Sequence, residues 1–423
     1  MRREGGGEFV ETLLEQELGP SRLSPQDRSL CQELAYGAVR WEKTLDWLIA
    51  RKTYGKPQRP GLQVLLRLGL YQLFWLDRVP DHAAVHETVE LAKKRGFIGQ
   101  AGFINAVLRG YVREKETTRQ LLDQLKQTEP ATGFSHPDWL VARWTERWGA
   151  DRAARLLDWN NTPPPTFARR NALKADAATL VKRWADEGVQ FTPRAFDWVE
   201  NELVFQLDAL PGPLAALKSF KDGLFYIQDP STLLAVSLLD PRPDQTLLDL
   251  CAAPGGKSTF IAQIIQNRGT VIAQDSQAAR LELIRQNTVR LGVTCVETSL
   301  APDTVIPNPT RRFDRILVDA PCSNTGVLRR RLDLRWRLRP EEIKRLRDTQ
   351  LQILRQAAPR LQPGGVLVYS TCSLEPEENR SVVEAFLSEH PAFALETDRE
   401  LIPFTDGVDG AYVARLRQNK NVD

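Results

Sequence analysis

The sequence predicts an α/β protein in three parts. These are an all-helical amino-terminal domain, a small α+β module and a Rossmann-like, mostly parallel sheet at the carboxyl end. Three observations carry this. Apolar residues recur at helical spacing through roughly the first 128 residues. The stretch "NNTPPPTF" (160–167) cannot continue a helix and breaks that pattern. From about residue 226 the chain alternates strand, glycine turn, helix and strand.

The elements follow in order. "FVETLLEQEL", "DRSLCQELAYGAVRWEKTLDWLIA", "LQVLLRLGLYQLFWL" and "DHAAVHETVELAKK" are amphipathic helices. Ser24-Pro25 before "QDRSL" reads as a helix cap with proline at the first helical position. "GKPQRPG" (55–61) separates two helices. "HPDWLVARWTERWG" is a further, tryptophan-rich helix. Residues 166 to about 225 alternate short strand-like and helical stretches. The sheet strands are "TLLDLC", "TVIAQD", "VTCVET", "RILVDA" and "GVLVYSTC". The expected domains are 1–135 (helical), 136–165 (helical linker), 166–240 (α+β) and 241–423 (parallel sheet).

Composition bounds the class. The chain has 423 residues, 42% hydrophobic and 26% charged, as in an ordinary soluble protein. It holds no apolar run of about 18 residues, the length a membrane span needs, and its first residues lack the apolar core of a signal peptide. A cytoplasmic protein with no membrane partner is the expectation. Net charge is only +3, but "LRRRLDLRWRLR" (328–339) gathers six arginines around Asp333. Such a run usually marks a solvated face. Beside a reactive site it suggests a polyanionic substrate, and arginines 329 to 339 are expected to grip phosphates.

In open parallel sheets, ligands bind at the carboxyl ends of strands. Cys251, Asp275, Asp319, Cys322 and Cys372 all fall there. "LLDLCAAPGGKST" is a strand, a small-residue turn and a helix start, which lets backbone N–H groups approach a ligand. It is not a P-loop, because Cys251 stands where that motif needs its first glycine. GxGxxG is absent too. Asp275 ends the next strand about twenty residues on, where a carboxylate accepts the hydroxyls of an adenosine ribose. Loop and acid together indicate a nucleoside cofactor without a diphosphate loop, which favours S-adenosyl-L-methionine.

The five cysteines are Cys31, Cys251, Cys295, Cys322 and Cys372, with no CxxC or Cys/His cluster, so no metal is expected. Cys322 and Cys372 end two strands. They are either buried small hydrophobes or nucleophiles. A pyrimidine C5 is too weak a nucleophile to take a methyl group until a thiolate adds at C6. Either thiol can supply that group, and Asp319 in "DAPC" is positioned for the base edge. Glu375, Glu377 and Glu378 would oppose ionisation of Cys372 if near.

These motifs resemble the Sun/Fmu family of RNA 5-methylcytosine methyltransferases, of the RsmB type, over nearly the whole chain. "DLCAAPGGKST" is similar to the family's cofactor loop, "DAPCSNTGVLRR" to its DAPCSxTG motif and "STCSLEPEEN" to its TCS motif. "ARRNALK" resembles its RVNxLK motif, with Arg170 where valine is usual. The amino-terminal stretches "LAYGAVRW", "LRLGLYQLFWLDRVPDHAAVHETVELAKK" and "GFINAVLR" resemble a NusB-like RNA-binding domain. There, His82 is read as a helix-start residue, and Tyr71 and Gln72 as packing and helix contacts.

The resemblance implies Cys372 as nucleophile and Cys322 as the thiol that assists product release. It implies cofactor contacts from Cys251, Ala252, Ala253, Pro254, Gly255, Gly256, Lys257, Asp275 and Asp319. It implies methylation of a cytosine C5 in 16S rRNA, free or partly assembled; a monomer is the separate expectation. A tRNA cytosine methyltransferase, or a non-catalytic RNA-binding or antitermination factor with a relic enzyme domain, are the alternatives. Two departures stand out. "VETSLAPD" has Ser299 and Leu300 where the family has Gly-Asp, which leaves Glu297, Asp303 or the backbone to meet the adenine. "RRRLD" stands for RRHPD, with Asp333 in register.

Overall fold

The computed structural model describes residues 8–19, 23–302 and 310–419. The chain forms two compact units. One comprises the described residues up to Pro163 together with Leu328–Arg337; the other comprises Pro164–Val327 and the chain from Leu338 onward.

The first unit is helical, with its main helices at Val10–Leu18, Pro25–Arg40, Glu42–Thr53, Pro60–Trp75, Asp81–Lys94, Ala101–Arg113, Lys115–Thr128, Asp138–Trp148 and Ala150–Asn161. Ser24 caps the second, its hydroxyl accepting from the Asp27 amide at 3.1 Å, with Pro25 at the first helical position. The predicted breaker falls between Thr53 and Pro60. Leu45, Leu48, Leu66, Leu70, Ile104 and Leu108 build the core. Tyr71 is a packing residue. Its ring stacks on Trp75 at 5.8 Å, its hydroxyl donates to Glu33, and a Cβ on Gly37 would lie 1.9 Å from the ring.

The arginine run is only partly an exposed face, because two of its arginines, Arg329 and Arg335, are buried. Arg335 is fully buried in this helical unit. Its guanidinium donates to the carbonyls of Arg40 (3.4 Å), Ser135 (3.2 Å) and Asn160 (2.9 Å) and to Asn161 Oδ1 (2.8 Å). Arg40 and Asn161 end helices, where carbonyls lack intrahelical partners and the helix dipole is negative. One planar fork therefore caps the ends of two helices without any carboxylate. Burial lowers its pKa to about 9. Arg329 is 2% exposed and lies over Trp159 at 4.1 Å. Asp333, also buried, accepts from the Val10 amide at 2.5 Å and pairs with Arg337 at 3.7 Å. Trp336 Nε1 donates to the Val39 carbonyl at 2.9 Å. Arg331 and Arg339 are exposed.

The second unit holds two sheets. The smaller contains β1 (Thr166–Arg170), β2 (Gln190–Arg194), β3 (Val204–Ala209) and β4 (Phe225–Ile227), all antiparallel, in the order β2-β3-β1-β4. Trp184 of the helix Ala177–Glu187 packs against Phe191, Phe205 and Phe225. The larger contains β5 (Gln245–Leu250), β6 (Gly269–Asp275), β7 (Val296–Leu300), β8 (Phe313–Asp319), β9 (Leu361–Thr371), β10 (Phe393–Leu401) and β11 (Ala411–Gln418). Their order is β10-β11-β9-β8-β5-β6-β7. β5 to β9 pair in parallel and β10 and β11 antiparallel. The fold class is therefore as predicted, and the closing hairpin β10–β11 is an addition to the five predicted strands. Asn171 ties the small sheet's module to the end of the helix Ala278–Leu291. Its amide nitrogen donates to the carbonyls of Gly223 and Leu291, each at 2.8 Å. Gly223 must be glycine, since its φ is +71° and a Cβ would meet the Arg290 carbonyl at 1.9 Å.

Arg335→Ala would leave helix-end carbonyls buried and unpaired. It is expected to lower the stability of the helical unit by about 3 kcal/mol, read as a shift in the urea midpoint followed by tryptophan fluorescence.

Candidate active site

The chain runs from β5 outward to β6 and β7, then returns to place β8 and β9 on the other side of β5. The switch point lies between β5 and β8, and the crevice outside their carboxyl ends is where a ligand fits such a sheet. The loop after β5 begins with Cys251 in the left-handed region (φ +61°) and reaches Gly255 at φ +95°. A Cβ on Gly255 would meet Ile284 at 3.2 Å, so this turn favours glycine. Gly256 then starts the helix Gly256–Ile264.

Ala252 and Ala253 are buried in this loop, and Ala253 N donates to Asp275 Oδ2 at 3.2 Å. The Ala253 and Pro254 carbonyls accept from Arg280 (2.8 Å) and Asn287 (3.0 Å). Asp275 ends β6, is fully buried, and also accepts from the Gln277 amide (3.2 Å) and pairs with Arg280 (3.4 Å). Lys257 Nζ lies 2.7 Å from Asp319 Oδ2, while Asp319 Oδ1 accepts from the Ser370 hydroxyl at 2.8 Å. Burial pulls the Lys257 pKa down, but Asp319, Asp249 and Cys372 outweigh it and hold the ammonium charged.

Two functional-looking residues were missed in the sequence. Asp249 is buried inside β5, with Oδ2 accepting from Ser258 at 2.5 Å and Oδ1 without a hydrogen-bond partner. Burial raises its pKa to about 7. Its signal was an acid flanked by leucines in "LLDLC". Asn324 is the other. Its Oδ1 accepts from Cys372 Sγ at 2.9 Å and its amide nitrogen donates to the Cys322 carbonyl at 2.7 Å. It is held at φ +58°, a conformation asparagine tolerates better than most residues. It stands at the unspecified position of the DAPCSxTG pattern, so the motif did not single it out.

The two thiols meet. β8 and β9 pair in parallel with Asp319 opposite Ser370, and the Ala320 amide donates to the Ser370 carbonyl at 2.9 Å. The loops that follow bring Cys322 Sγ to 3.4 Å from Cys372 Sγ, as two free thiols. Cys322 is buried. The hydrogen bond to Cys372, burial and the nearby Glu378 push its pKa well above the ordinary thiol value. Cys31 is exposed on a helix of the first unit, and Cys295 is buried in the core of the second.

At the family's Gly-Asp position, Leu300 ends β7 opposite Asp275 and is 58% exposed. Glu297 lies opposite Ile272, three residues short of that end, with Arg311 3.8 Å away. Asp303 lies outside the described residues. A cavity of about 840 Å³ opens elsewhere in the second unit, between Trp198, Leu238, Gln263 and Arg399, and does not border the thiols.

This sheet order and this loop define a Rossmann-like methyltransferase. Residues 236–417 match the model of the 16S rRNA methyltransferase RsmB/F family, residues 3–113 that of the NusB family, and residues 136–198 that of the RsmF/B-like ferredoxin-like domain. A probable ribosomal RNA small subunit methyltransferase B of Bacillus subtilis is 37% identical, covering 97% of this chain and 95% of its own. The ribosomal RNA small subunit methyltransferase B of Yersinia pseudotuberculosis is also 37% identical, over 93% of this chain and 91% of its own. The crystal structure of PH0851 shares the fold (TM-score 0.80, 23% identity, 98% of this chain and 96% of that one). A methyltransferase homologue from Pyrococcus horikoshii aligns at TM-score 0.60 and 30% identity, over 71% of this chain and 99% of that one. The chain belongs to the ribosomal RNA small subunit methyltransferase B family and carries a NusB-like domain.

Two outcomes follow from the charges. Between pH ~4 and ~7 the folded chain keeps a proton on Asp249 that the unfolded chain has released, so Asp249 makes stability fall as pH rises through that window. Asp249→Asn is expected to flatten this slope in denaturation midpoints measured from pH 4 to 8. Cys322 should resist iodoacetamide at pH 8, and Cys372→Ala should speed its labelling several-fold, read by peptide mass mapping.

Proposed function

We propose that this chain methylates C5 of a cytosine in 16S rRNA, free or partly assembled, using S-adenosyl-L-methionine and a covalent bond between Cys372 and C6 of the base. The observation that carries the reading is the 3.4 Å separation of two thiols beside the Lys257–Asp319 pair.

The residues fit the cofactor. The loop Cys251–Gly255 has the left-handed turns that let backbone approach a ligand, and Asp249 Oδ1 is a buried acceptor still without a partner. Residues 251–257 and Asp275 would hold it, the latter on the ribose hydroxyls. When bound, the sulfonium supplies an electrophilic methyl group. Lys257 shares an electrostatic interaction with Cys372.

The Cys372 sulfur forms a bond to C6, and the electron pair of the C5–C6 bond makes C5 nucleophilic. Asp319, partly exposed, accepts from the exocyclic amino group of the base, beside N3. After methylation, loss of the C5 proton to a base restores the double bond and expels the Cys372 thiolate. Cys322 keeps its proton because its pKa is raised, so its S–H stabilises the departing sulfur. The base must be splayed from its stack to reach these groups.

Cys372→Ala is expected to lower methyl transfer by about 1,000-fold or more. Cys322→Ala should instead leave an RNA–protein adduct on a denaturing gel. Transfer at the wild-type rate by Cys372→Ala, or no attachment of fluorinated-cytosine RNA through Cys372, would end this reading.

A further inference from the structure

Both thiols are followed by serine, in "PCSN" and "TCSL". Both serines bind one carboxylate. Ser373 Oγ donates to Glu378 Oε2 at 2.6 Å, and Ser323 Oγ donates to the same oxygen. The Ser323 amide donates to Oε1 at 2.8 Å, and Gln350 Nε2 donates there at 3.0 Å. The Tyr369 hydroxyl donates to the Glu378 carbonyl at 2.6 Å, which holds the backbone of the clamp to β9. Glu378, Ser373 and Gln350 are fully buried and Ser323 nearly so.

We propose that Glu378 is a positioning residue. It sets the separation of Cys322 and Cys372 by gripping the serine next to each, and so keeps the releasing thiol within reach of the nucleophile. This inference rests on the covalent reading above. The argument is one of valence. Four donors converge on one side chain, and only a carboxylate carries enough lone pairs and no hydrogen of its own. Bonds to an ionised acceptor are about twice as strong as neutral ones, so the four offset part of the cost of burying the charge. Burial raises the Glu378 pKa, while the donors from Ser323, Ser373 and Gln350 oppose that rise. A glutamine keeps the shape but turns an N–H₂ group toward donors. Without the clamp the two loops share fewer ties. These include the contact between the Ser323 and Ser373 hydroxyls (3.0 Å), Cys372 Sγ to Asn324 Oδ1 (2.9 Å), the Leu374 amide to Thr325 Oγ1 (2.9 Å) and the Gly326 amide to the Cys372 carbonyl (3.0 Å).

The test uses the full chain with Glu378→Gln. In wild type, diamide should oxidise the two thiols to a disulfide, the reagent taking up both hydrogens. Glu378→Gln should slow this at least tenfold. That measurement needs no methyl transfer, so it judges the clamp even if the functional reading fails. In turnover, Glu378→Gln should lower kcat at least tenfold with KM for RNA within threefold. It should also accumulate the RNA adduct although Cys322 is present, which a merely structural residue would not cause. Wild-type disulfide rates, or turnover within twofold and no adduct, would overturn the proposal. If Glu378→Gln does not fold, Ser323→Ala and Ser373→Ala replace it. Sharing one acceptor, the two should cost less together than the product of their single effects, and independent effects would overturn the clamp.

Discussion

Everything at the site hangs on the parallel pairing of β8 with β9. Side chains alternate along a strand, so a slip of one residue would turn every one to the opposite face. The register opposes Asp319 to Ser370, and their side chains hydrogen-bond at 2.8 Å. From that fixed point each strand needs only two or three more residues to deliver its thiol. Strands are buried on both faces by apolar clusters around Leu317, Val366 and Val368 on one side and Ile316, Val318 and Leu367 on the other. The apolar sandwich supplies the stability that allows charged and strained groups at the strand ends.

Those strand ends concentrate polar groups shielded, wholly or in part, from water. Lys257, Asp319, Asp249, Cys322 and Glu378 are each buried or partly buried, and their charges act on one another through a low dielectric. The result is a division of labour among like groups. One carboxylate, Asp319, is held against an ammonium; another, Asp249, is pushed toward the neutral form; a third, Glu378, is held by neutral donors alone. Left-handed residues Cys251 and Asn324 flank the same crevice, as strained backbone does at functional sites.

The path of the chain adds a second constraint. Five residues after Cys322 the chain leaves the sheet unit, and residues 328–337 are built into the helical unit through Arg335. The buried guanidinium satisfies carbonyls that two helices cannot satisfy themselves. Its role is capping, which sequence alone cannot separate from phosphate binding, because both use the same five donors.

Much was legible in the sequence because it depends on local signals. Helical periodicity, the Ser24-Pro25 cap, the proline break and the apolar runs of β5 to β9 each follow from neighbouring residues. So does the loop "CAAPGGK", whose small residues announce a close backbone approach. The hairpin β10–β11 was not legible, since "FALETDREL" mixes charges into a strand whose identity comes from pairing with β11. Nor were Asn324, Asp249 and Glu378, because their roles depend on partners up to 55 residues away. The sequence by itself determined most of the helices and strands and which groups can do chemistry. Tertiary structure alone decided which groups meet: two thiols fifty residues apart become neighbours, and six clustered arginines become partly a buried cap. Distance along the chain carries no information about distance in space once strands pair.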